Sequence, residues 1–127
     1  MNSLGLLYPR IGEASLQELA KNFYEEVGKI PELRSLYPED LEAAERRIYL
    51  FLVQVLGGPQ TYSEERGHPR LRMRHMQWEI DAKMRGHWMN AMLHALDKVP
   101  LEQEVQEDLM QYFTQVANAM INHEEVE

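Results

Sequence analysis

Apolar side chains recur at three- and four-residue intervals along most of the chain, which is the spacing that gives a helix one apolar face. Leu16, Leu19, Ala20, Phe23, Tyr24 and Val27 form the first such run. Ser15 with Glu18 reads as a capping box at its start, and Gly28 and Pro31 end it. A short turn over 31–36 and the pair Tyr37-Pro38 follow. Asp40 can cap a second long helix with Leu41, Ala44, Ile48, Phe51, Leu52 and Val55 on its face, and Gly57-Gly58-Pro59 stops it. Residues 57–70 carry three glycines, two prolines and no periodicity, which predicts a long functional loop. A brief helical stretch over Leu71–His75 comes next. Asp81 can cap a third helix bearing Met84, Trp88, Met92, Ala95 and Leu96. Past Pro100, a last helix presents Val105, Leu109, Tyr112, Phe113, Val116 and Met120. With four substantial helices and no convincing strand alternation, the expected fold class is all-α. The 127 residues suit one domain, 1–127, with 1–7 and 123–127 as flexible ends.

Composition narrows the class. Hydrophobic residues make up 44% and charged residues 27%, as in a folded globular chain. The absence of cysteine removes disulfides, iron–sulfur clusters and thiolate chemistry. The start of the chain has no basic head followed by a long apolar run, and no stretch approaches membrane-spanning length. A cytoplasmic protein that associates with neither membrane nor nucleic acid is therefore expected.

Charge changes the picture further. The net charge is -8, yet residues 66–75 hold four arginines, two histidines and no acid. An acidic molecule with so local a basic patch would repel a polyanion. The patch suits a small ligand with one or two carboxylates, beside a histidine able to hold a metal. Haem combines those features: propionates at its edge and an iron that takes an imidazole.

Each candidate has an ordinary alternative. His75, beside Leu71, Met73 and Met76, could ligate iron or sit as a satisfied histidine. His68 and His75, like His87 and His94, are seven residues apart, too far along a helix to share a metal. His87, His94 and His123 read as solvated. Tyr24, Tyr37 and Trp88 could converge as an apolar wall with inward donors, or be plain core aromatics. Arg47, next to the apolar position Ile48, and Tyr62, in the glycine-rich loop, could reach a carboxylate or face water. No phosphate loop, nucleophile elbow or zinc-binding box occurs.

Taken together, Phe23-Tyr24, then 36–40, Phe51-Leu52 with Gln54, Gly57-Gly58-Pro59, the block from Thr61 to His75, and Trp88 with Met92 resemble the truncated haemoglobins of group II. The resemblance implies a two-on-two helical sandwich around haem b. It implies His75 as the proximal iron ligand and Tyr24, Tyr37 and Trp88 as a distal polar cluster, with Ala44, Ile48 and Phe51 lining the distal side. Arg47, Tyr62, Arg72 and Arg74 would meet the propionates, and Leu71, Met76, Trp78 and Met92 would pack on the proximal side. The expected ligands are O2, NO, CO and peroxide, used in oxygen, redox, nitric oxide or peroxide chemistry with an outside electron donor. Association into a homodimer is compatible with this reading. The alternative is a cofactor-free acidic helical module that docks a partner.

Overall fold

The computed structural model of the chain describes residues 4–37, 40–66 and 82–119. A 3-10 turn at Leu4–Leu6 leads into α1 (Tyr8–Ile11), α2 (Glu13–Val27), α3 (Pro31–Arg34), α4 (Leu41–Val55), α5 (Thr61–Arg66), α6 (Ala82–Asp97) and α7 (Gln103–Ala119). No strand occurs among the described residues.

α2 buries Leu16, Leu19, Ala20, Phe23, Tyr24 and Val27, the face its spacing predicts. Its start differs from expectation. The capping residue is Gly12, at φ +89°, and Ser15 lies inside the first turn. Glycine takes this left-handed backbone without a Cβ penalty, so the chain turns straight from α1 into α2 and the helix begins earlier. Asp40 does cap α4, its side chain accepting from the Glu42 N–H at 2.9 Å. α4 buries Ala44, Leu52 and Val53, while Leu41, Ile48, Phe51 and Val55 remain half-buried. α6 buries Met89, Ala91, Met92, Ala95 and Leu96; α7 buries Val105, Leu109, Phe113 and Ala117. Met120 and Asp81 lie outside the described residues.

The helices stack as two pairs. α2 packs on α4, α6 packs on α7, and α2 also crosses α6. The α6–α7 pair runs antiparallel, because Arg85 near the start of α6 donates to Asn118 near the end of α7 at 2.8 Å. Polar contacts fix the α2–α6 crossing. Buried Asn22 donates to the Ala95 carbonyl at 3.4 Å, and Lys98 donates to the Glu26 carboxylate at 3.2 Å.

Within the segment expected as a flexible end, residues 1–3 lie outside the described residues and Leu6 is exposed, but Leu7 joins the core. Leu7 is fully buried, and the Tyr8 N–H donates to the Leu56 carbonyl at 2.8 Å. Gly57, at φ +99°, closes this corner; a Cβ there would run into the backbone carbonyl of Gly5. The stretch expected to be a loop from 57 to 70 contains a helix, α5. Its short-range donors are met from α4, which periodicity over so few residues could not signal. Gln54 accepts from the Ser63 N–H at 2.9 Å and donates to the Ser63 hydroxyl at 2.7 Å. Arg46 grips Glu65 with two bonds at 2.7 and 2.8 Å.

Glu26 supplies a test of the α2–α6 crossing. Burial alone would raise its pKa, but hydrogen bonds from Lys98 and Lys29 outweigh it and hold the carboxyl below the usual range. A depressed folded-state pKa stabilises the fold above the ordinary carboxylate pKa, and that contribution is lost as pH falls through the folded value. Lys29 is exposed and Lys98 about half-exposed, so together these contacts contribute at most on the order of 1 kcal/mol. Thermal melts should therefore show Glu26→Gln a few degrees below the natural chain at neutral pH, with the gap closing in acid.

Candidate functional site

The site is built outward from two neighbouring residues of α2. Successive helical side chains point about 100° apart. Phe23 therefore meets α6, while Tyr24 meets the chain just before α4. Phe23 sits edge-on to Trp88 with ring centroids 5.7 Å apart, and Tyr24 sits edge-on to Tyr37 at 5.4 Å. Phe23 and Tyr24 themselves touch at 4.9 Å. The three expected distal aromatics are thus joined, with Phe23 as the link between the tyrosine pair and the tryptophan. The sequence pattern marked Phe23 only as a core position, and nothing in its spacing distinguishes the two roles.

Buried Tyr24 and half-buried Tyr37 form a polar pair. The Tyr24 hydroxyl donates to that of Tyr37. Burial pushes the Tyr24 phenol far above its ordinary value, and the neighbouring Tyr37 charge adds to the rise. Burial also pushes Tyr37 up to about 12, against the opposing pull of the Tyr24 bond and the Arg47 charge. Arg47 is half-buried and acts electrostatically on both phenols. It stands on α4 one residue from Ile48 and one turn from Ala44, which is 3% exposed. The only bulk that Ala44 adds to this part of α4 is a methyl group.

Other expected residues fall nearby. Phe51 is half-buried and sits edge-on to Tyr62 at 5.7 Å. Tyr62 is buried because the Gln54–Ser63 and Arg46–Glu65 contacts hold α5 on α4. Met92 is fully buried, one turn beyond Trp88 on α6. His68, Leu71, Arg72, Arg74, His75, Met76 and Trp78 lie outside the described residues, as do the helix expected over 71–75 and His123. His94 is exposed, as expected. His87 is half-buried: its Nε2 is shielded and has no hydrogen-bond partner among the described residues, whereas the sequence alone would place the ring in water.

The described residues fit a haem in kind. Ile48 and Phe51 on α4 and Met84 and Trp88 on α6 are large apolar side chains that the core covers only in part. The Tyr24–Tyr37 phenols join Trp88 through Phe23, α4 adds a cation at Arg47, and Tyr62 meets Phe51. A flat apolar group with anionic edges matches that mixture. Among the described residues no group of three or more histidines, aspartates or glutamates could hold a bare metal ion. A surface groove of about 730 Å³ lies between α2 and α4 and is lined by Glu18, Lys21, Glu42, Glu45, Arg46 and Tyr49. It contains none of the expected site residues, and its mixed charges read as a solvated face.

An all-α, two-on-two globin is the class that this helix stacking and donor set define. Residues 6–122 match the bacterial-like globin family. A curated relative, the group 2 truncated haemoglobin YjbI of Bacillus subtilis, is 41% identical over 120 residues, which are 94% of this chain and 91% of the relative. The crystal structure of a thermostable haemoglobin from Thermobifida fusca superposes with a TM-score of 0.89 at 47% identity, covering 91% of this chain and 96% of that one. A Bacillus subtilis structure described as a truncated oxygen-avid haemoglobin gives 0.87 at 41% identity, covering 91% and 98%. The chain belongs to the bacterial-like globin family, within its group II truncated haemoglobins. Members of that family bind haem, usually haem b, and small diatomic molecules such as oxygen. No described helix is long and apolar enough to cross a membrane.

The elevated phenol values give a direct check on the pair. In the folded protein, Tyr24→Phe and Tyr37→Phe should leave unchanged the tyrosinate absorbance gained up to about pH 11, since ordinary tyrosines ionise near 10. A smaller gain in either variant would show that the missing phenol had been titrating like a solvated one.

Proposed function

We propose that the chain holds haem b through His75 and retains oxygen tightly for redox work, including peroxide or nitric oxide chemistry, rather than for delivery. The observation that carries this reading is the hydrogen-bonded pair of buried Tyr24 and half-buried Tyr37, with the Arg47 charge acting on both phenols. The haem supplies an iron able to take a diatomic molecule or a peroxide and to change oxidation state.

The protein's own part is electrostatic. A diatomic guest that has drawn negative charge would be held by the Tyr37 O–H and the Trp88 N–H, while Tyr24, whose one O–H goes to Tyr37, orients that phenol. Because both phenols ionise far above physiological pH, they stay neutral donors and do not repel such a guest. Ile48 and Phe51 exclude water from the same side. Ala44 leaves an open approach where a bulkier side chain would close it. Arg47 and Tyr62, with Arg72 and Arg74, meet the propionates. Leu71, Met76, Trp78 and Met92 pack on the opposite side. Repeated turnover draws electrons from an outside donor, since the chain has no flavin or nicotinamide fingerprint. The description of the Bacillus subtilis relative as oxygen-avid supports tight retention.

Stopped-flow measurement of oxygen release tests this reading. A donor contributes on the order of 1 kcal/mol to holding a polar guest, so Tyr24→Phe and Trp88→Phe should each release oxygen several-fold to about tenfold faster. Unchanged release in both variants would remove the distal donors from the account.

A further inference from the structure

Six aromatic rings form an unbroken series through the described residues. It runs Tyr37–Tyr24–Phe23–Trp88–Phe113–Tyr112, with centroid separations of 5.4, 4.9, 5.7, 6.1 and 5.7 Å. The first rings belong to the proposed ligand pocket. The last belongs to α7, on the far side of α6. Phe23 is fully buried and Phe113 is 2% exposed, so the middle of the series is shut off from water. Tyr112 at its end is only half-buried.

The chemistry of the rings differs along the series. Tyrosine and tryptophan can be oxidised by one electron, tyrosine losing its hydroxyl proton in the same event. Phenylalanine resists oxidation but, packed between two such rings, shortens the gap an electron must cross. Here the oxidisable residues are Tyr37, Tyr24, Trp88 and Tyr112, and a phenylalanine fills each of the two gaps. A core could satisfy its packing with aliphatic residues at Phe23 and Phe113, and a broken series would then leave Tyr112 isolated.

We propose that Tyr112 is where outside electrons enter this protein: a small one-electron reductant, such as a phenol, is oxidised at Tyr112, and the ring series carries the electron to the pocket. The proposal rests on the peroxide reading of the site given above. A hydroperoxide reduced to an alcohol or water takes two electrons and two protons. Each electron leaves Tyr112 as its phenol proton passes to water, giving a tyrosyl radical. The reductant then returns one hydrogen atom to that radical and leaves as its own radical. Over a full cycle, one hydroperoxide and two reductant molecules yield one alcohol (water, from hydrogen peroxide), one further water and two reductant radicals. Tyr112 ends unchanged. Burial pushes the Tyr112 phenol up to about 12, so the resting residue carries its proton and can donate it in this way.

The test uses the haem-loaded full chain, hydrogen peroxide and a nitroso spin trap, with the labelled residues mapped by mass spectrometry. The natural chain should carry the trap on Tyr112. Tyr112→Phe should lose that label while keeping its haem absorbance and its rate of first reaction with peroxide. Phe113→Leu, which keeps an apolar core but opens the series, should lower the Tyr112 label several-fold. Tyr49→Phe, outside the series, should leave it intact. Oxidation of guaiacol should fall in step with the label in the two series variants. If peroxide is consumed but the label lies only on Tyr24 or Tyr37, or is indifferent to Phe113→Leu, the Tyr112 proposal fails and the peroxide reading stands. If the loaded protein does not consume peroxide, both fail.

Discussion

Everything distinctive about this molecule depends on how α2 is seated. A helix can send adjacent side chains only about 100° apart, so Phe23 and Tyr24 must face different neighbours. The crossing on α6, held by Asn22 to the Ala95 carbonyl and by Glu26 to Lys98, fixes the rotation of the helix. Phe23 then has Trp88 to meet, and Tyr24 has Tyr37. A small rotation of α2 would break both contacts at once, which couples the architecture of the core to the polarity of the pocket.

That seating creates an unusual local environment. A buried Tyr24 hydroxyl and that of half-buried Tyr37 satisfy part of each other's hydrogen bonding, so the burial of Tyr24 is tolerated. Neither ionises in the physiological range, and the pair stays polar without charge. Arg47 adds positive potential that acts on both phenols. α4 contributes by restraint as much as by contact: Ala44 takes little space, while Ile48 and Phe51 leave apolar surface for a flat group to cover. α5, tied down by Gln54 and Arg46, brings Tyr62 to Phe51 at the edge of the same region.

Much of this was legible in the chain, for definable reasons. The apolar face of α2 was readable because six positions at helical spacing all point into one core. The Asp40 cap was readable because its side-chain hydrogen bond is local. The family pattern brought Tyr24, Tyr37 and Trp88 forward, and the fold joins them. What was hidden came from tertiary context. Ser15 looked like a cap, but the left-handed Gly12 started the helix sooner. α5 had too few residues to show a period, and its bonds come from α4. Phe23 as a link between pocket residues, and the shielding of His87, follow from how helices cross, which no spacing encodes.

The central claim, that this helix stack exists to hold a haem through one histidine, is tested most directly by titrating haem-free protein with hemin and reducing it. The natural chain should develop a sharp Soret band at one haem per chain and a five-coordinate or six-coordinate histidine spectrum in the ferrous form. His75→Ala should lose that ferrous signature and recover it with added imidazole. A chain that gives no sharp band, or a His75→Ala variant whose spectra match those of the natural chain, would contradict the account.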